Sequence, residues 1–273
     1  MRLFILFVSL VVSIPALADT TIVSLNRDTV YARYMTRGAW TKPLFSKERL
    51  ALTDSALKYL PHDAYLWQQR SMPLIKQMKY EVSMQYMDSA VKYNPDKYQG
   101  YRGVLRCVFQ KDYKGALVDL LAAQRNFPDG ENMDHPWDYW ASLCYLQLCM
   151  YDSAEAAMER VVKRDAAIGK DWGPYLHSFY YGVALFEREK FAEALAQFEL
   201  TLTRHKLFAD AKYYKALCLK AAGKKEEAIA LMEQAERDLK AGHSFDDDSS
   251  IYEKFPYQIT DWMIAGSLYR LKE

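Results

Sequence analysis

Five times along this chain a small residue is followed four positions later by a large apolar one, and seven positions later by a small or β-branched one. The sets are Ser83-Met87-Ala90, Ala116-Leu120-Ala123, Ala154-Met158-Val161, Ala194-Phe198-Thr201 and Ala228-Met232-Ala235. Offsets of four and seven put each trio on one stripe of an α-helix. The leading small residues stand 33, 38, 40 and 34 positions apart. A period of that length marks one structural unit used repeatedly, each copy packing on the next. An upstream partial unit shows in Ala56 and Pro61, which precede Ala90 and Pro95 by 34 positions.

Each trio belongs to the second helix of a pair. Trp67, Ser71 and Leu74 fill the first helix of one unit, and Tyr101, Val104 and Val108 that of the next. Ser142 with Tyr145, Gly182 with Leu185, and Ala216 with Leu219 continue the series. Tyr80, Tyr113, Tyr151 and Phe191 open the second helices. With these residues, positions 46–240 resemble the tetratricopeptide repeat family, whose unit of about 34 residues runs W-x₂-L-G-x₂-Y, then A-x₃-F, then A and P. The departures are Arg70 and Lys215, where an apolar residue is usual, and the missing closing Pro of the last three units.

The resemblance implies an all-α fold, a right-handed solenoid of antiparallel helix pairs: a partial repeat followed by five full ones. Small residues mark where paired helices cross, because only small side chains let backbones approach. One pair cannot bury its apolar face alone, so stacking supplies the core. Residues 241–273 are expected to form an exposed linker, 243–250, and a terminal capping helix with Ile259, Trp262 and Met263 on one face. Residues 19–45 hold Tyr31 and Trp40 but no clear unit, and are expected to pack on the first pair as a degenerate repeat.

The first 18 residues have the pattern of a cleaved export signal. Arg2 precedes an apolar run, Leu3 to Ile14, which Pro15 ends, and Ala16-Leu17-Ala18 supplies the small-x-small cleavage pattern. Twelve apolar residues are too few to span a bilayer as a helix. Cleavage after Ala18 would send a chain of 255 residues to a periplasm or outside the cell, with no later membrane span. Without Arg2 the basic and acidic residues balance at 35 each. That balance lacks the basic stripe a nucleic-acid partner needs.

Catalytic and metal chemistry find little to stand on. Cys107, Cys144 and Cys218 each fall two residues after a small-contact position, so they read as small apolar packing residues. Equivalent positions on adjacent repeats lie about a helix diameter apart, beyond the roughly 7 Å Cα limit for a disulfide. Buried free thiols are expected, Cys149 included. The five histidines, His62, His135, His177, His205 and His243, are dispersed with no metal-binding spacing. The acidic groups Asp246-Asp247-Asp248 and Asp129, Glu131, Asp134 match no calcium loop and read as solvated loop charge. No cofactor is implied and no catalytic residue can be assigned.

In the family this chain resembles, the first helices line a concave groove where extended or helical peptides commonly lie. That implies a lining of Tyr65, Gln68, Arg102, Arg106, Tyr139, Phe179, Tyr180, Phe186, Tyr213 and Tyr214, drawn from the non-core positions of the first helices. Arg102 and Arg106, one helical turn apart, could hold a carboxylate. The aromatics have two readings of equal weight: anchors for a peptide, or packing between repeats and under the capping helix. The Lys, Asn and Arg set with which some family members clamp a chaperone tail cannot be placed here.

The 38 and 40 spacings come from two enlarged joints, 129–140 and 166–175, that emerge on the same edge of the array. Trp137 and Trp172 read slightly better as plugs where the stacking angle changes than as ligands. The tips, Asp129, Glu131 and Asp134 in the first, keep a functional edge open. The leading function is a non-enzymatic scaffold for a protein or peptide partner. A structural envelope subunit, acting through its edges or by self-association, is the alternative, and a metal protein or enzyme a distant third.

Overall fold

The computed structural model describes residues 25–169, 173–247 and 249–273; the export-signal segment, Trp172 and Asp248 lie outside the described residues. The chain begins with α1 (Arg27–Val30), which runs on as a π-helical stretch over Tyr31–Thr36 and packs on α2 (Lys47–Tyr59). Then come five antiparallel pairs: α3 (Ala64–Ile75) with α4 (Tyr80–Tyr93), α5 (Pro95–Leu105) with α6 (Tyr113–Asn126), and α7 (Trp137–Gln147) with α8 (Tyr151–Ile168). The last two are α9 (Tyr175–Glu187) with α10 (Phe191–Arg204), and α11 (Ala209–Ala221) with α12 (Lys225–Lys240). Each second helix also packs on the first helix of the next pair, and α13 (Asp261–Lys272) packs on α12, so the array is a solenoid. Among the described residues no helix is long and apolar enough to cross a membrane.

The repeated trios do what their spacing requires. All five are buried, each on its own second helix. Their small members sit where two helices cross. The Ser71 and Ser83 hydroxyls meet there at 2.6 Å. A Cβ added to Gly182 would stand 2.7 Å from the Phe198 ring, and one on Gly103 would stand 2.8 Å from Leu120. A larger side chain at either glycine would push the pair apart.

The link inside each pair is a repeated device. Met78, Lys111, Cys149, Glu189 and Gly223 all adopt positive φ, between 57° and 76°. The next residue's N–H reaches back to a carbonyl five positions earlier: Lys79 to Leu74, Met150 to Tyr145, Lys190 to Leu185 and Lys224 to Leu219, each at 2.9 Å. This is the left-handed helix stop that satisfies the last carbonyls. In the α5–α6 link the reach is six positions, Asp112 to Arg106 at 3.1 Å, because a π turn over Arg106–Gln110 carries one extra residue. The crossing position of α5 is therefore Gly103, not Leu105 as even spacing suggests. Cys149 belongs to this turn, which is why it is exposed while the other three cysteines are buried.

Only one of the five stops uses the residue suited to it. A non-glycine residue in the left-handed region costs about 1–2 kcal/mol of steric strain. Replacing exposed Glu189 by Gly is expected to raise stability by about 0.5–1 kcal/mol, the remainder going to the greater unfolded-state freedom of Gly. Urea denaturation of the two proteins measures it; an unchanged or lower midpoint contradicts the assignment.

Candidate binding groove

The residues between α12 and α13 are not an exposed linker. From Ser244 they run along the first helices to α3 and return to α11 as one long loop packed into the concave face. Phe245 is buried among Phe179, Tyr180 and Phe208, with ring centroids 5.8, 6.1 and 5.3 Å away. Asp246 accepts the Tyr175 hydroxyl at 2.6 Å. At the far end of the loop Tyr252 lies over the Lys76 ammonium, whose distance to the ring centroid is 5.1 Å, and Glu253 accepts the Tyr80 hydroxyl. Lys111 donates to the Lys254 carbonyl. On the return, Phe255 stacks on Phe245 at 5.3 Å. Ile259 is buried just before α13 begins.

Two tyrosines hold the returning backbone. Tyr180 Oη donates to the Pro256 carbonyl at 2.8 Å, and Tyr214 Oη to the Tyr257 carbonyl at 3.1 Å. Burial pushes both phenols well above their ordinary pKa, so both stay protonated donors. Asp210 closes the base of the loop. Its carboxylate accepts Ser244 Oγ–H and Ile259 N–H, each at 2.8 Å. Burial raises the Asp210 pKa to about 6, against the pull of those hydrogen bonds.

This loop decides the fate of the groove candidates. Tyr139, Phe179, Tyr180, Tyr213 and Tyr214 are all buried and present nothing to a partner. They pack between repeats and under the chain's own loop; Tyr213 Oη meets Ser267 Oγ of α13 at 3.2 Å. Phe186 is half-buried against Phe191 and Tyr214. Arg102 and Arg106 do hold a carboxylate, but it is the protein's own. Asp119, 1 % exposed, accepts Arg102 at 2.6 and 2.8 Å and Arg106 at 2.8 Å. Asp88 binds the outer side of Arg102 at 2.7 Å.

The first enlarged joint is a folded hairpin. Two-residue strands β1 (Glu131–Asn132) and β2 (His135–Pro136) pair antiparallel across Met133 and Asp134, which carry φ of 49° and 60°. Positive φ at both turn residues is the geometry that two-residue hairpins favour. Trp137 is a plug: it is buried, its Nε1–H meets the Phe127 carbonyl at 3.1 Å, and it packs where Gly100 lacks a Cβ. Glu131 pairs with Arg164 at 3.0 Å, while Asp129 and Asp134 are exposed.

Dispersed histidines meet here. His135 Nδ1 lies 2.8 Å from His177 Nε2, and His177 Nδ1 lies 2.8 Å from Asp165 Oδ2, all three residues buried. Burial, and then the neighbouring His177, lower the His135 pKa to about 3. The chain thus ties the hairpin joint to the start of α9. Among the described residues no group of three or more His, Cys, Asp or Glu is arranged to hold a metal. Burial, and then the neighbouring Cys107, raise the Cys144 pKa well above its ordinary value, and the four cysteines are unbridged.

Among the described residues, the first repeats leave an open cleft. There Tyr65, Gln68, Lys97, Tyr98, Tyr101 and Asn132 line a cleft of about 350 Å³. Beside it Met72, Ile75, Leu105, Phe109 and Met133 surround a cavity of about 180 Å³ that Tyr252 of the loop covers. Tyr101 lines both. Of the expected lining, Tyr65 and Gln68 remain; Lys97, Tyr98 and Asn132 are not among the expected residues, and the sequence assigns Tyr101 to the packing series of its helix instead. A tyrosine two places before a helix-crossing glycine was the available signal for Tyr101. The extra residue in the π turn hid it.

Comparison with known proteins agrees with this architecture. Residues 145–203 and 181–243 match a tetratricopeptide repeat family model. No curated protein matches the chain in sequence. Among solved structures it is similar to a tetratricopeptide repeat protein from Parabacteroides merdae, at 13% identity and a TM-score of 0.62 over 90% of this chain and 100% of that one. It is similar to PilW, a widely conserved type IV pilus biogenesis factor, at 16% identity and 0.57 over 74% and 88%. It is similar also to YrrB, a repeat protein with an unusual peptide-binding site, at 18% identity and 0.53 over 73% and 96%. At such identities the likeness speaks to fold alone, and what it establishes is that the described chain is folded as a tetratricopeptide-repeat solenoid, with the family's repeats recognised over residues 145–203 and 181–243.

Proposed function

We propose that the protein is an exported, non-enzymatic scaffold that receives a peptide or an extended segment of a partner on the concave face of its first repeats. One observation carries this reading: the first helices already hold a chain segment, the protein's own loop, through tyrosine hydroxyls on two backbone carbonyls of a turn. Main-chain hydrogen bonds with aromatic pockets are a general way of holding peptides. The loop fills the later repeats, so the open cleft at α3 and α5 is where a partner has room. Export rests on Arg2, the apolar run and Ala16-Leu17-Ala18. No residue is given a catalytic role.

Site-specific photo-crosslinking in intact cells tests the reading. A benzophenone side chain replaces Gln68 on the concave face, or Val118, which is exposed on α6. Discrete partner adducts at position 68 are the expected result. Adducts at 118 alone would move binding to the convex face.

A second reading, self-association, draws on α13. Trp262 is 75% exposed and points away from the array, where the sequence suggested an inward face, and Tyr269, one heptad on, is 66% exposed. The buried face is instead Ile264, Ser267 and Leu271. Sedimentation of the mature chain and of Trp262→Glu separates the readings, since a second copy docked there dissociates in the variant.

A further inference from the structure

Tyr101 repeats, in the open part of the groove, an arrangement the chain uses twice on itself. Tyr180 stands two residues before the crossing glycine Gly182, and Tyr214 two before Ala216; both donate to loop carbonyls. Gly103 is the crossing residue of α5, and Tyr101 stands two before it. Its hydroxyl donates to the Met72 thioether at 3.0 Å. Sulfur is a weak acceptor, so a peptide carbonyl offers this donor a better partner. Burial raises the Tyr101 pKa, which keeps the proton on.

Two further polar atoms face the same need. Tyr98, 4% exposed, has a hydroxyl with no hydrogen-bond partner among the described residues, and so does the side-chain oxygen of Asn132. A buried polar group without a partner is costly, so a ligand that reaches and satisfies it gains affinity. An amide chain offers both what Tyr98 lacks, an acceptor, and what Asn132 Oδ1 lacks, a donor. Lys97 sets the charge. It is exposed, has no carboxylate within 4 Å among the described residues, and lies 5.9 Å from the Tyr65 ring and 5.5 Å from the Tyr98 ring. Asp63, the acidic side chain that acts on Tyr98, is engaged with Arg27 and Tyr31.

We propose that the cleft lined by Tyr65, Gln68, Lys97, Tyr98, Tyr101 and Asn132 holds an extended peptide with an acidic side chain at Lys97 and a backbone carbonyl on Tyr101. This rests on the scaffold reading and gives its partner a chemistry. The Tyr101 hydroxyl leaves the Met72 sulfur for that carbonyl, as Tyr180 and Tyr214 serve the loop. The acidic side chain lies against Lys97 at the rim, where it selects among peptides more than it adds affinity.

A phage-displayed random octapeptide library panned on the full chain is the test. Recovered peptides are expected to be enriched in Asp and Glu, with binding of the recovered pool weakened about 5–10-fold by Tyr101→Phe, the loss of one hydrogen bond. Lys97→Glu, a change at an exposed position, should replace the acidic enrichment by a basic one. Circular dichroism and thermal melting confirm that both variants fold. No acidic enrichment, or an enrichment indifferent to Lys97→Glu, overturns the proposal. So does recovery of a motif copying Phe245–Tyr257, which would make the occupant a second copy of this chain. Cross-links at position 68 alongside peptides indifferent to both variants would leave the scaffold and remove this chemistry. Cross-links at 118 alone would remove the scaffold reading itself.

Discussion

Phe245→Ala is expected to destabilise the protein by about 3–5 kcal/mol, as large as a core truncation in any of the repeats. Position 245 lies in what the sequence presents as a polar linker, where a substitution normally moves stability by no more than about 0.5 kcal/mol. The structure puts it elsewhere. The ring sits between Phe208 and Phe255 at 5.3 Å each and contacts Phe179 and Tyr180. Truncation leaves a cavity lined by four rings that their helices prevent from collapsing. The loss also loosens the two carbonyls that Tyr180 and Tyr214 hold, and each buried phenol left unpaired adds its own cost. Ile251→Ala is the control, since Ile251 is in the same loop and 76% exposed. Urea unfolding of both variants decides it. Equal, small effects would mean that the loop is a detachable strap; a large effect at 245 alone means that it is core.

The repeats were legible because their evidence is local. Trios at four and seven positions report which face of one helix is buried, and each second helix buried the trio predicted for it. The same locality sets the limit. Phe245 meets Phe179 and Tyr180 across 66 and 65 residues, and no period links them. The polar residues beside it have no period that could report its burial, and two of them are themselves tied in: Ser244 bonds the buried Asp210, and Ser249 is buried. The histidines failed for the same reason: 42 residues separate His135 from His177, and only stacking of two joints brings them to 2.8 Å. Arg102 and Arg106 were expected to hold a partner's carboxylate; the one they hold, Asp119, stands on the next helix, where spacing along α5 cannot report it. The open cleft was half visible. Tyr65 and Gln68 came from the groove that the family resemblance implies, whereas Tyr101 was assigned to the packing series, because the extra residue of the π turn is revealed by backbone geometry alone.

Acid should leave the wild-type protein with a flat stability profile between pH 7 and 4 where these two groups are concerned, and two substitutions should tilt it in opposite directions. His135 is buried and neutral, with its pKa lowered to about 3 from 6.5. Below pH 6.5 the unfolded chain takes up a proton there and the folded chain does not, so stability is lost as pH falls, by about 3 kcal/mol at pH 4 at about 1.4 kcal/mol per unit. The groups facing it are His177, Tyr139 and Trp140, none of which offers a carboxylate. Asp210 works the other way. Its pKa is raised to about 6 from 3.8, so below pH 6 the folded chain binds a proton that the unfolded chain does not. Stability from this group is fully present below 3.8 and falls by about 3 kcal/mol as pH rises through 6. His135→Asn keeps a neutral donor near Nδ1 but cannot titrate; relative to wild type it should gain about 3 kcal/mol between pH 7 and 4. Asp210→Asn keeps an acceptor for the Ile259 N–H and should lose about as much over the same range. Comparing urea midpoints of the three proteins at the two pH values cancels the other carboxylates. Parallel profiles would show that neither group changes its proton affinity on folding. The coupling matters for the groove because the two groups hold its walls: Asp210 pins both ends of the loop, and His135 ties the hairpin that carries Asn132 to the array.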